Sequence, residues 1–260
     1  MITPRQTKAF QTKILRLAKA HTRSHLPWRT RRTPYRVLVS EVMLQQTQVA
    51  RVIPKFQEFV KAVPDFETLA KVPQKKLLTL WQGLGYNSRA LRLQKAAREV
   101  VAKYDGTLPK ERERLIALSG IGPYTAGAIR VFAWNLPDIF IETNIRRVFI
   151  HEFFSDKKNI SDKEILPLIE ETLPTTNSRS WYETLMDYGA TLPKILKSNP
   201  NIKSKHYTKQ SKFSGSDRQL RGKILRLVLA GKKWSPKILG EDPKRVKRIA
   251  IDLRKDGFEI

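Results

Sequence analysis

An all-α fold is predicted by three observations on the sequence. Apolar residues recur at three- and four-residue spacing in "LAKVPQKKLLTLWQGLG", "SRALRLQKAAREVVAKY", "YTAGAIRVFAWNL" and "DKEILPLIEETL", the period of a helix. Strand-like alternation bounded by hairpin turns is nearly absent. Helix punctuation is also present: Thr33-Pro34 opens "YRVLVSEVML", and Gly83 and Gly85 close "LLTLWQ".

Composition bounds the partners. The 260 residues suffice for a sizeable core, in one large domain or a large plus a small one. Fifty Lys and Arg against 24 Asp and Glu give a net charge of +26. Such a surplus repels itself unless a polyanion balances it, so nucleic acid is the first partner to consider and an anionic membrane surface the second. The absence of cysteine excludes disulfides, thiolate metal sites, iron–sulfur clusters and cysteine nucleophiles. The first twenty residues lack a signal-peptide core, and no apolar run approaches the roughly 20 residues that span a bilayer. A soluble, cytoplasmic monomer is expected.

The elements follow in chain order. In "LVSEVML", Glu41 is flanked by apolar residues whose desolvation would keep it protonated at neutral pH; a solvated helix-face carboxylate is the alternative. Gln45, Gln46 and Gln48 offer amides where that helix meets a loop. Tyr86 of "GLGY" reads equally as core or as an exposed ring, with Arg89 just behind it. "LSGIGPYTAGAI", 118–129, places two glycines two apart before a helix start. Such a turn lets another backbone approach closely, and the N–H groups of Ile121 and Gly122 could cradle a phosphate, unless this is an ordinary helix–helix turn. In "DIFIETNIRRV", Glu142 is either a helix cap or a reagent. Residues 194–216 form a polar, basic linker. Beyond it, 217–260 reads as helix, turn, helix and a terminal strand "GFEI": a small basic winged-helix-like module or a plain helical hairpin.

"GIGPYTAGAI" resembles the hairpin of the helix-hairpin-helix base-excision DNA glycosylases. "LPWRTRRTPYRVLVSEVMLQQTQVARVIP", "LWQGLGYNSRALRL" and "NIRRV" stand in the order found in the MutY-like adenine glycosylases. The resemblance covers roughly residues 20–192. It implies a two-lobed helical fold, with residues 28–136 as a central domain containing the hairpin at 114–130, and residues 1–27 plus 137–193 as a flanking lobe. It further implies double-stranded DNA with mispaired or oxidised bases as partner, and hydrolytic release of adenine opposite 8-oxoguanine or guanine. Glu41 would protonate the base, and the carboxylate at 142, aligned by Asn144, would face the sugar. Gln46 would lie by the opposite base and Tyr86 would wedge the stack. Gln45, Gln48, Arg89, Gly120, Ile121, Gly122 and Thr125 would complete the DNA contacts, with no resident cofactor beyond a monovalent cation at the hairpin. Tyr124 stands where lyase-competent relatives carry a Schiff-base lysine, so a monofunctional enzyme leaving an abasic site is implied.

The chain departs from that family in three ways. It has no cysteine for the cluster that usually closes the second lobe, the short basic module from about residue 215 is expected in place of a Nudix-like domain, and Glu142 stands where the family has aspartate. Two other readings stay open: a thymine or uracil mismatch glycosylase, and a non-catalytic lesion- or duplex-binding protein.

Overall fold

The structure is a computed structural model that describes residues 2–20 and 23–260, so residues 1, 21 and 22 of the expected 1–27 segment lie outside it. Among the described residues there is no strand, only one isolated parallel bridge between Ile160 and Ser204. The helices are α1 (Pro4–Ala20), α2 (Pro27–Thr30), α3 (Pro34–Leu44), α4 (Val49–Ala62), α5 (Phe66–Lys71), α6 (Gln74–Trp81), α7 (Ser88–Tyr104) and α8 (Arg112–Ile116). They continue as α9 (Pro123–Trp134), α10 (Thr143–Phe153), α11 (Asp162–Thr172), α12 (Ser178–Ile195), α13 (Asp217–Leu229), α14 (Pro236–Leu239) and α15 (Pro243–Lys255), with a 3-10 turn at Pro200–Lys203. None of these helices is long and apolar enough to cross a membrane.

The chain folds as two compact units. The first comprises Met1–Glu41, Lys110–Ala117 and Ile121–Thr208; the second comprises Val42–Pro109, Leu118–Gly120 and Lys209–Ile260. Residues 28–41, 110–117 and 121–136 of the expected central domain thus belong to the first unit, with the flanking helices. Helix α3 is buried along Val37–Met43, acid included. A helix buried all round belongs to a core, and the division between units falls within it, after Glu41.

In the first unit, Phe10 of α1 meets Phe149, Phe153 and Trp181 edge-on at centroid distances of 5.0–5.7 Å. Helices α10 and α12 pack closely because Gly189 has no side chain: a Cβ there would come within 2.3 Å of the Asn144 carbonyl oxygen. The segment after α12 is held by polar groups. Arg147 donates to the Asn199 Oδ1 at 3.0 Å and to the Gly189 carbonyl at 2.5 Å, and Asn201 Nδ2 donates to the Thr143 carbonyl at 2.9 Å. Ile160 N–H and Lys205 N–H complete the bridge, donating to the Lys203 and Ile160 carbonyls.

In the second unit, Phe59 meets Trp81 edge-on, and Gln94 of α7 ties down α5 by donating to the Leu69 and Val72 carbonyls at 3.1 and 2.6 Å. Helices α13 and α15 bury Leu220, Ile224, Val246, Ile249 and Leu253, and α13 rests on α6. The expected terminal strand does not form. No described strand could pair with "GFEI"; instead Phe258 is buried and Gln74 Nε2 donates to the Gly257 carbonyl.

Candidate active site

Three of the expected residues come together in the first unit. Glu41 reaches its place because α3 is buried on every side. Tyr124 is the second residue of α9, whose first turn is set by the extended Gly122 and by Pro123. Its hydroxyl donates to Glu41 Oε2 at 2.5 Å. Burial pushes the Glu41 carboxyl up to about 7, helped by the negative charge of Glu142; the Tyr124 hydrogen bond and the Arg29 charge oppose the rise. Burial beside two carboxyls likewise holds the Tyr124 phenol well above its ordinary value.

Glu142 caps α10: its Oε1 accepts from Asn144 N–H at 2.7 Å and Ile145 N–H at 2.8 Å. Among the described residues, its Oε2 accepts only the longer 3.2 Å bond from Asn144 Nδ2. Burial raises this carboxyl too, but the two backbone N–H groups and Arg147 and Arg146 favour its ionised form. Among the described residues Glu41 has a phenol and no backbone donor on its carboxyl, so of the two acids it is the one suited to carry a proton. Phe140, stacked on Tyr182 at 4.1 Å and edge-on to Tyr124 at 5.7 Å, supplies apolar walls.

The Arg29–Asp187 pair was not singled out in the sequence, although Arg29 lies within "LPWRT". Arg29 bonds both Asp187 oxygens, at 2.8 and 3.0 Å, and Arg23 adds a 2.6 Å contact. Burial would raise the Asp187 carboxyl, but these guanidinium groups hold it below its ordinary value. The pair joins α2 to α12 and fixes the cation that opposes the charge on Glu41.

The other expected residues lie elsewhere. Gln46 and Gln48 are exposed and Gln45 half-buried in the second unit, where Tyr86 is 39% exposed. Arg89, expected at DNA, is turned inward. It donates to the carbonyls of Val42, Met43 and Gln45 and of Leu84 and Gly85, so it builds the loops that carry Gln46 and Tyr86 instead of reaching a phosphate. Of the hairpin glycines, Gly120 has positive φ (+78°) and lies against Arg92, where a Cβ would come within 2.9 Å. Gly122 is extended, and nothing lies near the position its Cβ would take. The side chains of Ile121 and Thr125 are buried, which leaves their backbone for any outside contact. With no cysteine in the chain, the thiolate ligands of an iron–sulfur cluster are missing and the residues present do not fit one.

Residues 39–175 match the family described as HhH-GPD superfamily base excision DNA repair protein. The adenine DNA glycosylase of Buchnera aphidicola subsp. Baizongia pistaciae is 38% identical over 75% of this chain, which spans 55% of that relative's length. The adenine DNA glycosylase of Mycolicibacterium smegmatis is 31% identical, with 79% of this chain and 75% of the relative covered. A thermostable thymine-DNA glycosylase structure is 27% identical, with a TM-score of 0.65 over 72% of this chain and 87% of that one.

Proposed function

Because the chain belongs to the HhH-GPD superfamily of base excision DNA repair proteins, we propose that it is a monofunctional DNA glycosylase that releases adenine from mispairs with 8-oxoguanine or guanine. The observation that carries this reading is the Glu41–Tyr124 pair, with the Glu41 carboxyl raised to about 7 and Glu142 beside it in electrostatic range. The target base must first leave the stack, because its glycosidic bond is inaccessible within the duplex. Tyr124 donates to one Glu41 oxygen, which leaves the proton on the other oxygen for N7 of adenine. The C1′–N9 bond breaks with its electron pair going to the base, and the Glu142 carboxylate, through Oε2, faces the oxocarbenium-like sugar. Water then adds to C1′ and gives its proton to the Glu41 carboxylate, restoring the acid and leaving an abasic site. A phenol at position 124 forms no imine, so no strand cleavage follows.

Gln46 and Tyr86 meet the base opposite the emptied position, and the hairpin backbone at Gly120–Gly122 meets a phosphate. The test is a gel assay on duplexes with adenine opposite 8-oxoguanine, treated with alkali after incubation. Wild type gives a strand break and Glu41→Gln gives none; no break with wild type in enzyme excess would overturn the reading. The likeness to a thymine-DNA glycosylase supports a second reading, release of thymine from T:G. A pyrimidine has no N7 to protonate, and T:G duplexes in the same gel separate the two.

A further inference from the structure

Gln46 and Tyr86 both have left-handed backbones, with φ of 54° and 45°. Residues other than glycine adopt that conformation only where their surroundings impose it. The inward-turned Arg89 stands behind both loops, donating to the carbonyls of Gln45, Leu84 and Gly85. Both exposed side chains are thus carried on sparsely populated backbone conformations beside a buried arginine.

A third side chain joins them from outside the family-matched region 39–175. Gln210 Nε2 donates to the Tyr86 phenolic oxygen at 2.6 Å and to Gln46 Oε1 at 3.3 Å. Its segment is fastened on the far side. From the first turn of α13, Arg218 donates to the Ser211 carbonyl at 2.7 Å and to the Tyr86 oxygen at 3.4 Å. From α15, Arg245 donates to the Gly215 carbonyl at 2.7 Å while paired with Asp217 at 2.9 Å. The pinning stops one residue short of Gln210, whose carboxamide is exposed. An exposed amide–phenol contact opens at little cost, and a carboxamide presents a donor and an acceptor side by side, the pattern that bonds a purine edge in two places.

We propose that Gln210 reads the base opposite the emptied position and favours a purine there, with Arg218 as the residue that positions it. This rests on the reading that Gln46 and Tyr86 meet that base. It gives the segment that precedes α13 a part in specificity.

The test does not require base release. Full-length protein is titrated by fluorescence anisotropy into duplexes holding a tetrahydrofuran abasic analogue opposite 8-oxoguanine, guanine or cytosine. Wild type is expected to bind the purine duplexes at least about fivefold more tightly than the cytosine duplex, the lower end of what one bidentate base contact supplies. Gln210→Ala brings that ratio close to one and Arg218→Ala lowers it, whereas Lys212→Ala, in the same exposed segment, weakens all three duplexes together and leaves the ratio intact. Overturning results are a wild type with no preference, a ratio unchanged in Gln210→Ala, or a uniform tightening on all duplexes in that variant. The last would make the segment a strap lying over the DNA surface. If the ratios behave as expected while the alkali gel shows no adenine release, the catalytic reading fails and this one stands.

Discussion

Glu41 keeps its proton to about pH 7 because α3 removes it from water, and the same burial sets its effect on stability. A carboxyl whose value is raised on folding binds a proton more tightly in the folded chain. The stability this provides is complete below the unfolded value near 4.5 and is lost as pH rises to about 7. Above that pH the folded chain carries a strained buried charge, at a cost on the order of 3 kcal/mol. Glu41→Gln, whose amide oxygen can still accept from Tyr124, is therefore expected to melt higher than wild type at pH 8 and close to it at pH 4.5, while losing base release; differential scanning calorimetry at the two pH values checks this. The raised value was legible in the sequence, since "LVS" and "VML" flank the acid. What limits the rise was not: the Tyr124 hydroxyl comes from 83 residues away, and the Arg29 charge is fixed by an aspartate far along the chain. For Glu142 the structure shows the cap, one oxygen serving the helix start while the other accepts a single longer bond from Asn144, which leaves room for the proposed role as a reagent.

Among the elements, the contact of α10 with α12 decides where Glu142 and Arg147 stand. Gly189→Ala drives a Cβ into the Asn144 carbonyl, a backbone atom that cannot swing away. The expected result is a loss of about 1–3 kcal/mol, the range for overpacking, together with a fall in base release, because the cap that holds Glu142 moves with Asn144. Urea unfolding and a single-turnover assay read the two effects. Helix periods and caps were readable because they are local. The inward turn of Arg89 was not, since an arginine beside an exposed aromatic resembles a DNA contact until the carbonyls from the other loop are seen around it. "GFEI" misled for the opposite reason: its residues suit a strand, but a strand needs a partner, and Phe258 is buried instead while Gln74 holds the Gly257 carbonyl.

For the whole molecule, the +26 charge governs association more than architecture. Each phosphate neutralised releases condensed counterions, so a footprint of roughly 6–10 phosphates loses about 10³–10⁵-fold in affinity between 50 and 200 mM salt. Duplex binding measured across that range should fall on a straight line in log–log form; a flat line would show that the surplus charge does not face the nucleic acid. The charge surplus was legible from composition alone, but which surface carries it was not. The closure of the segment after α12 was the least legible feature, because two asparagines and an arginine make no recognisable motif. Its consequence reaches beyond geometry. A loop fastened by Arg147, Asn199 and Asn201 is closed by hydrogen bonds alone at these residues and holds no thiolate for peroxide to attack.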